Sequence, residues 1–393
     1  MEKLHSYVYS SLDLLQHYRG EMPLHLYLKK QFRLNRKFGS RDRRWIRQLC
    51  YAWFRTGGLF RKEEPLQRLL FSFYLLTDQE DQTAMDILQP AALHPLDFTL
   101  SRQAKLKQIS EKTGERREED LFPYLEQLSP LPDVQAFIGS LYQQPLVWLR
   151  ARRAHLSKVL DRLEAAGIAF SVHPVEPMAI SLAPGTALET TGVLERGWAE
   201  IQDLSSQRTL HFMDPAPGEN WLDACAASGG KSLLLMEREP SVRLTVCDNR
   251  ASILKNLEER FRQNGITSYT KILADLCDPL SLAGFPHFDG IIADVPCSGS
   301  GTWARNPEQM EFFNTESLYH YVRVQEMIST NLSGLLRTGG KMLYITCSVF
   351  KAENEDRTAA LASKHGFRIQ KEGIIQGSAE GADTLFASLL IKK

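Results

Sequence analysis

The chain has 393 residues, 43% of them apolar, and its 47 basic residues balance its 47 acidic ones. This length exceeds the usual size of a single hydrophobic core, so we expect two or three globular domains. The N-terminus lacks a signal-peptide pattern and no apolar run approaches the ~20 residues of a membrane span, which predicts a soluble cytoplasmic protein with no membrane partner.

Cysteine and histidine spacing argues against a disulfide framework and against a metal site. The six cysteines form no CxxC pair, and the ten histidines form no HxxxH or HExxH pattern. We therefore expect reduced thiols and no bound metal.

Residues 1–144 are predicted to form an all-α domain, because apolar residues recur at three- and four-residue steps, as in Trp45, Ile46, Leu49 and Cys50. Basic residues are concentrated between Lys29 and Lys62, where Asp42 is the single acid. Such a block suits contacts with phosphates, although a solvated basic helix face has the same composition. Interleaved aromatic residues indicate that this segment is folded.

Residues 145–200 are predicted to form a small α+β module. A short strand at 147–149 precedes a helix with Leu156, Val159, Leu160 and Leu163 on one face, and two alternating runs follow near 169–172 and 178–182.

Strands and helices alternate from about residue 219, which is typical of a doubly wound parallel sheet. We predict strands at 221–225, 243–248, 270–275, 289–294 and 341–346, and helices at 252–264 and 318–336, the second closed by Thr338-Gly339-Gly340. Two last strands, near 368–371 and 384–391, are expected to pair at an antiparallel edge.

The segment Asp223-Ala224-Cys225-Ala226-Ala227-Ser228-Gly229-Gly230-Lys231 joins the first of these strands to a helix, the position where doubly wound folds bind cofactors. It is not a P-loop, because Cys225 stands where Walker A requires glycine, and GxGxxG is absent. Acids end the successive strands, namely Asp223, Asp248, Asp275 and Asp294. An acidic rim repels phosphates and favours a cationic cofactor, S-adenosylmethionine, over a dinucleotide.

Two cysteines follow neighbouring strands: Cys297 in Asp-Val-Pro-Cys-Ser-Gly-Ser-Gly and Cys347 in Thr-Cys-Ser. We expect both thiols at the cofactor edge of the sheet. A methyl donor needs a thiol when the acceptor is a poor nucleophile such as carbon 5 of a pyrimidine, because thiolate addition at carbon 6 activates carbon 5. Asp294 is the candidate acid near ring nitrogen 3, and the target base must be unstacked.

The chain resembles the Sun-type (RsmB-like) RNA cytosine-5 methyltransferases. The resemblance is carried by these motifs and by Gln202-Asp203-Leu204-Ser205-Ser206-Gln207 and Glu353-Asn354-Glu355. The resemblance is specific over 200–393 and weaker over 145–200. Over 1–144 it rests on Asp42-Arg43-Arg44 and Cys50-Tyr51-Ala52-Trp53-Phe54-Arg55, which are similar to a NusB-like domain.

The resemblance implies three domains: a helical NusB-like domain (1–144), a small α+β RNA-binding module (145–200), and a Rossmann-like class I methyltransferase domain with a seven-stranded, mostly parallel sheet (201–393). It implies that Cys347 is the nucleophile and that Cys297 assists product release. It also assigns the S-adenosylmethionine site to Cys225, Ala226, Ala227, Ser228, Gly229, Gly230, Lys231, Asp248, Asp275 and Asp294. Arg305 is expected in a loop that faces substrate.

The chain departs from the family pattern at two places. Ser228 replaces a proline in the cofactor loop, from which we expect a modest effect on affinity. Leu149-Arg150-Ala151-Arg152 replaces an Arg-Val-Asn pattern, although Arg150, Arg152 and Arg153 can still contact phosphate.

The sequence thus predicts a monomeric, S-adenosylmethionine-dependent RNA cytosine-5 methyltransferase acting on ribosomal RNA and not on DNA. Transfer RNA is the alternative substrate, and a non-catalytic RNA-binding assembly factor is the alternative function.

Overall fold

The computed structural model describes residues 6–78, 80–91, 93, 95–115 and 118–393. The chain divides into two compact units. The first comprises residues 1–126, 138–143 and 303–313, and the second comprises 127–137, 144–302 and 314–393.

The N-terminal region is helical throughout its described part, as predicted. Its helices are α1 (Ser6–His17), α2 (Leu24–Leu34), α3 (Ser40–Arg55), α4 (Pro65–Leu76), α5 (Gln82–Leu88), α6 (Arg102–Thr113) and α7 (Val134–Leu141). Helix α3 begins after Gly39, whose backbone N–H donates to the Asp42 carboxylate at 2.8 Å and so caps the first turn. Its apolar face, including Ile46, Cys50 and Phe54, packs into a core with α1 and α2.

Residues 303–313 belong to the first unit although they follow the Cys297 segment in the chain. Arg68 of α4 donates two hydrogen bonds to the Glu311 carboxylate, at 3.1 and 2.8 Å. Arg55 of α3 donates to the carbonyl oxygen of Ala304 at 2.8 Å, and Glu308 accepts from the backbone N–H of Leu24 at 2.9 Å. Charge-assisted hydrogen bonds therefore hold this returning segment among the N-terminal helices.

A small antiparallel sheet follows, in the strand order β2-β3-β1-β4. Its elements are β1 (Val147–Ala151), helix α8 (Leu156–Ala165), β2 (Phe170–Val172), β3 (Ala179–Leu182) and β4 (Ala199–Ile201). Val159 and Leu163 of α8 pack on Leu149 and Ile180 of the sheet. The predicted α+β character is confirmed, but strand β4 was not anticipated, and the domain boundary predicted at 200/201 falls within it.

The C-terminal sheet has seven strands in the order β10-β11-β9-β8-β5-β6-β7. The strands are β5 (Asn220–Asp223), β6 (Arg243–Asp248), β7 (Thr270–Leu273), β8 (Phe288–Asp294), β9 (Leu336–Thr346), β10 (Phe367–Gln376) and β11 (Thr384–Lys392). The helices are α9 (Leu204–Arg208), α10 (Gly230–Arg238), α11 (Ala251–Gln263), α12 (Glu308–Phe312), α13 (Thr315–Leu335) and α14 (Glu355–Lys364). Helix α12 lies within residues 303–313, which belong to the first unit.

Strands β5 to β9 pair in parallel, and β11 pairs antiparallel with both β9 and β10. The C-terminal domain has two apolar clusters, and successive strand residues can belong to different ones. Trp221 lies in the first and Leu222 in the second, because successive side chains of a strand point to opposite faces of the sheet. This is the predicted class I methyltransferase architecture, including the antiparallel edge pair.

One predicted boundary is wrong. Helix α13 ends at Leu335, and Thr338-Gly339-Gly340 lie within β9 instead of closing the helix. The pairing of β8 with β9 shifts register here, from Phe288 opposite Leu336 to Gly290 opposite Lys341, so the two glycines accommodate an irregularity of the strand.

Among the described residues, no helix combines the length and the apolar character that crossing a membrane requires.

Candidate active site

The structure brings the two predicted thiols into contact. Strands β8 and β9 are parallel neighbours with Asp294 opposite Ile345, so the segments after both strands leave the sheet at the same edge. The Sγ atoms of Cys297 and Cys347 lie 3.2 Å apart, and both cysteines are free thiols. The expectation that neighbouring strands place these side chains together is confirmed.

The backbones of the two cysteine segments are also joined. Gly301 donates its N–H to the Cys347 carbonyl oxygen at 2.9 Å. A Cβ atom at Gly301 would lie 1.8 Å from the Thr384 carbonyl oxygen of β11 and 3.1 Å from the Cys347 carbonyl oxygen, so a larger residue would clash there. Glycine at this position permits the close approach.

The two thiols differ in their electrostatic surroundings. The hydrogen bond to Cys347, burial, and the negative charge of Glu353 raise the pKa of Cys297 well above the usual value of a thiol. Burial and these neighbours thus favour the protonated form of Cys297, whose sulfur lies within hydrogen-bond distance of the Cys347 sulfur.

The predicted cofactor loop turns sharply between β5 and α10. Gly229 has φ +84°, and Ala227, with φ +44°, is the non-glycine residue with positive φ among the described residues. The Ala227 N–H donates to the Asp248 carboxylate at 3.0 Å, which compensates for the strained backbone. A Cβ atom at Gly229 would lie 2.5 Å from the Phe261 ring, so glycine is needed there.

This loop borders a cleft of about 460 Å³ that reaches the two cysteines. The predicted site residues that line it are Cys225, Ala227, Asp248, Asp275, Asp294, Cys297 and Cys347. The other predicted members do not: Ala226, Ser228, Gly229, Gly230 and Lys231 are absent from its lining. These five residues lie in the loop and in the first turn of α10, where they support the shape of the loop.

Lys231 illustrates this supporting position. Its ammonium group is nearly buried and donates to the Asp294 carboxylate and to the Ser206 hydroxyl, each at 2.9 Å. Lys231 thus holds the carboxylate of Asp294. Asp294 faces the cleft and precedes Cys297 by three residues.

Asp223 does not contribute to the acidic rim that the sequence predicted. Its side chain is fully buried and accepts a hydrogen bond from the Ser232 hydroxyl at 2.6 Å. Burial raises its pKa to about 7. The carboxylates that face the cleft are those of Asp248, Asp275 and Asp294.

Asp248 is already fully engaged by hydrogen-bond donors. One carboxylate oxygen accepts from the backbone N–H and Nε of Arg250, and the other accepts from Ala227 and from Arg250 Nη2. Burial opposes ionisation of Asp248, but these bonds outweigh it and lower its pKa. A ligand hydroxyl at Asp248 must therefore displace the Arg250 side chain, which is 57% exposed.

Sequence reasoning missed several lining residues. Asn249 and Arg250 directly follow the acid at the end of β6, and that adjacency is a signal that could have found them. Leu276, Val324 and Ile328 form an apolar part of the lining, but they come from a loop and from α13, and nothing local distinguishes them from core residues. Ser228, the departure from the family pattern, is exposed and accepts from Arg260 at 2.9 Å.

The expectation that Arg150 contacts phosphate is wrong. Arg150 is buried, donates to Gln202 at 2.7 Å and pairs with Glu237 of α10. Arg152 is partly buried and donates to the Asn264 carbonyl oxygen at 3.1 Å, whereas Arg153 is exposed. Arg150 of β1 therefore ties the small sheet to α10, and Arg152, which directly follows β1, ties it to the residue after α11.

Comparisons with known proteins give the same family as the sequence motifs. Residues 210–383 match the family described as 16S rRNA methyltransferase RsmB/F. Ribosomal RNA small subunit methyltransferase B of Yersinia enterocolitica is 30% identical over 233 residues, which are 59% of this chain and 54% of that protein. The protein of the same name from Cronobacter sakazakii is 30% identical over 270 residues, 66% of this chain and 62% of that protein. The aligned part thus spans little more than half the length of these relatives.

Two solved structures are similar in fold. PH0851 superimposes with a TM-score of 0.68 at 18% identity, covering 98% of each chain. NSun6 from Pyrococcus horikoshii with SFG superimposes with a TM-score of 0.58 at 16% identity, covering 70% of this chain and 96% of that one. Residues 210–383 are thus similar to the RsmB/F (Sun-type) family of RNA methyltransferases, and the fold is similar to that of these two solved structures.

Proposed function

We propose that this protein transfers a methyl group from S-adenosylmethionine to carbon 5 of a cytosine in ribosomal RNA. The observation that carries the proposal is the pair of free thiols 3.2 Å apart at the end of a cleft lined by carboxylates. The match of residues 210–383 to the family described as 16S rRNA methyltransferase RsmB/F supports the same reaction class.

Cys347 is the nucleophile in this proposal. Its thiolate adds to carbon 6 of the base, and the electrons of the carbon 5–carbon 6 double bond make carbon 5 nucleophilic. After carbon 5 has gained the methyl group, its proton passes to water. The double bond re-forms as the bond from carbon 6 to Cys347 breaks, which returns the thiolate.

Cys297 and Asp294 assist the two halves of this cycle. The raised pKa of Cys297 keeps it as a thiol, which lies 3.2 Å from the Cys347 sulfur and can donate a hydrogen bond to it when the bond to carbon 6 breaks. Asp294 is the acid that we assign to ring nitrogen 3, where negative charge develops, and Lys231 holds its carboxyl group in place.

The cleft suits S-adenosylmethionine. When bound, this cofactor supplies an electrophilic methyl group on a sulfonium. The carboxylates of Asp248, Asp275 and Asp294 complement its positive charge, and Leu276, Val324 and Ile328 offer apolar contact to a base. Asp248 at the end of β6 is the acceptor we assign to the ribose hydroxyls.

RNA as substrate has independent support from charge. Basic side chains of α2, of the following loop and of α3 are exposed; they are Lys29, Lys30, Arg33, Arg36, Lys37, Arg43, Arg44 and Arg47. The interleaved aromatic residues Phe32, Trp45 and Phe54 are buried, so they form core and leave the cations on the surface. A cationic surface with Asp42 as the single acid of its segment suits a polyphosphate backbone. The relatives' name, ribosomal RNA small subunit methyltransferase B, favours ribosomal RNA over transfer RNA.

Transfer of tritiated methyl groups to unmodified RNA tests the proposal. The wild-type protein should label small-subunit ribosomal RNA in preference to transfer RNA, and Cys347→Ala should abolish labelling. Cys297→Ala should accumulate a protein–RNA adduct that survives denaturation. Cys50→Ala, which removes a buried thiol of the first unit, is the matched control.

Two results would contradict the proposal. A wild-type protein that binds RNA but transfers no label would instead be a non-catalytic assembly factor. An adduct that accumulates with Cys347→Ala would invert the roles of the two thiols.

A further inference from the structure

A buried carboxylate lies between the two cysteine segments. Glu353 is fully buried in the short turn after β9. One carboxylate oxygen accepts from the Ser298 backbone N–H at 2.8 Å, and the other accepts from the hydroxyls of Ser298 and Ser348. Each serine directly follows one of the two cysteines, so a single side chain is bonded to both segments.

The serines extend this connection into a network. The Ser298 and Ser348 hydroxyl oxygens lie 3.2 Å apart, and the Ser300 hydroxyl lies 3.2 Å from that of Ser348. Ser300 also accepts from the Val349 N–H at 2.9 Å. Because these groups are buried, losing one partner leaves others without a bond, and the network resists deformation.

Helix α13 adds a third attachment. The Gln325 side-chain amide is buried and donates to the Pro296 carbonyl oxygen at 2.9 Å and to Glu353 at 3.0 Å. The Tyr344 hydroxyl donates to the Glu353 carbonyl oxygen at 2.8 Å and so anchors the turn to β9. The residues on both sides of Cys297 are thus linked to Glu353.

We propose that Glu353 is a positioning residue that sets the separation of the two thiols, by accepting hydrogen bonds from the residues that follow Cys297 and Cys347. The inference rests on the proposed function, in which the Cys347 sulfur attacks the base and the neighbouring Cys297 thiol assists its departure. A displacement of about 1 Å in such a site can lower a rate about 100-fold. Glu353 lies outside the cleft lining and acts through the two serines.

The first experiment needs no substrate. Dibromobimane becomes fluorescent when it alkylates two neighbouring thiols, and the Cys297→Ala variant identifies the part of the signal that comes from this pair. We expect Glu353→Ala to slow cross-linking of Cys297 to Cys347 at least about tenfold, and Glu353→Gln to restore much of the rate. The glutamine side chain has the same size, and its amide can still accept from the Ser298 N–H and donate to the hydroxyls.

The second experiment follows methyl transfer in the steady state, and formation and breakdown of the adduct in a single turnover. Glu353→Ala should lower kcat about 100-fold while the KM values for RNA and cofactor change less than about threefold. Ser348→Ala should slow formation of the adduct, and Ser298→Ala should slow its breakdown. Glu380→Gln is the control, because it removes a carboxylate bonded to Arg208 and His173 within the same unit.

The two proposals fail in different ways. If the wild-type protein cross-links readily but transfers no methyl group, the proposed function is wrong while the thiol placement by Glu353 stands. Folded Glu353→Ala protein that cross-links at the wild-type rate overturns the positioning role. If thermal melting finds this variant unfolded, Ser298→Ala and Ser348→Ala decide, and wild-type cross-linking in both overturns the inference.

Discussion

The Arg250 side chain competes with the cofactor for Asp248. All four hydrogen bonds accepted by the Asp248 carboxylate come from the protein, two of them from the Arg250 guanidinium. A carboxylate offers about four lone-pair sites, so ribose hydroxyls can bind only after the guanidinium leaves. We therefore predict that Arg250→Ala tightens the binding of S-adenosylmethionine, whereas Asp248→Ala weakens it.

The size of both effects follows from the exposure of the groups. Arg250 is 57% exposed, and ion pairs in such positions contribute about 0.2–1 kcal/mol. Removing this competitor should lower the Kd about 1.4- to 5-fold. Hydrogen bonds to a charged acceptor contribute about 1.5–3 kcal/mol, so Asp248→Ala should raise the Kd about 10- to 150-fold.

Isothermal titration calorimetry with S-adenosylmethionine measures both changes. Arg262→Ala is the matched control, because Arg262 forms an exposed pair with Glu259 on α11. High salt should shrink the difference between wild type and Arg250→Ala, since salt already weakens an exposed pair. A tenfold loss of affinity in Arg250→Ala would refute the reasoning and make Arg250 a ligand-binding residue.

Two further predictions concern the fold beneath the cleft. Gly290→Ala should lower the free energy of unfolding by about 1–3 kcal/mol or more, because its Cβ would lie 2.2 Å from the buried Trp221 ring. Thermal melting checks this, with Gly373→Ala as the control because a Cβ atom there meets nothing within 4 Å. Equal melting temperatures of the two variants would contradict the prediction. Burial raises the pKa of Asp223 from 3.8 to about 7, so the folded state binds a proton more tightly than the unfolded state does. Stability should fall as the pH rises from about 4 to about 7, and Asp223→Asn should remove this dependence in urea unfolding; an unchanged slope in the variant would count against it.

The succession of strands along the C-terminal part of the chain could be predicted from local patterns. Strand β6 was predicted at its observed bounds, 243–248, and β5, β8 and β11 were predicted within a few residues. Buried parallel strands are continuous apolar runs that end in turn-forming residues, so their signal is contained within each segment. Strand β4 has three residues and depends on its partner β1, which explains why it was missed.

The candidate site could likewise be predicted only in part. The proximity of Cys297 and Cys347 could be predicted, because parallel neighbours end at the same edge of a sheet. The direction of each acidic side chain could not: Asp223 and Asp248 both end strands, yet one is buried against Ser232 and the other faces the cleft. Alternation along a strand reverses with a shift of one residue, and strand ends cannot be located that finely from sequence.

By itself the sequence determined the fold class, the edge of the sheet where chemistry is expected and the two thiols that meet there, because these depend on periodicity and short motifs. Only the tertiary structure decided which groups surround them. Arg150 became a buried link, Arg250 became a competitor for Asp248, and Glu353 became the connection between the cysteine segments. Each of these contacts depends on how the elements pack and on the direction of each side chain, and neither can be predicted from local sequence patterns.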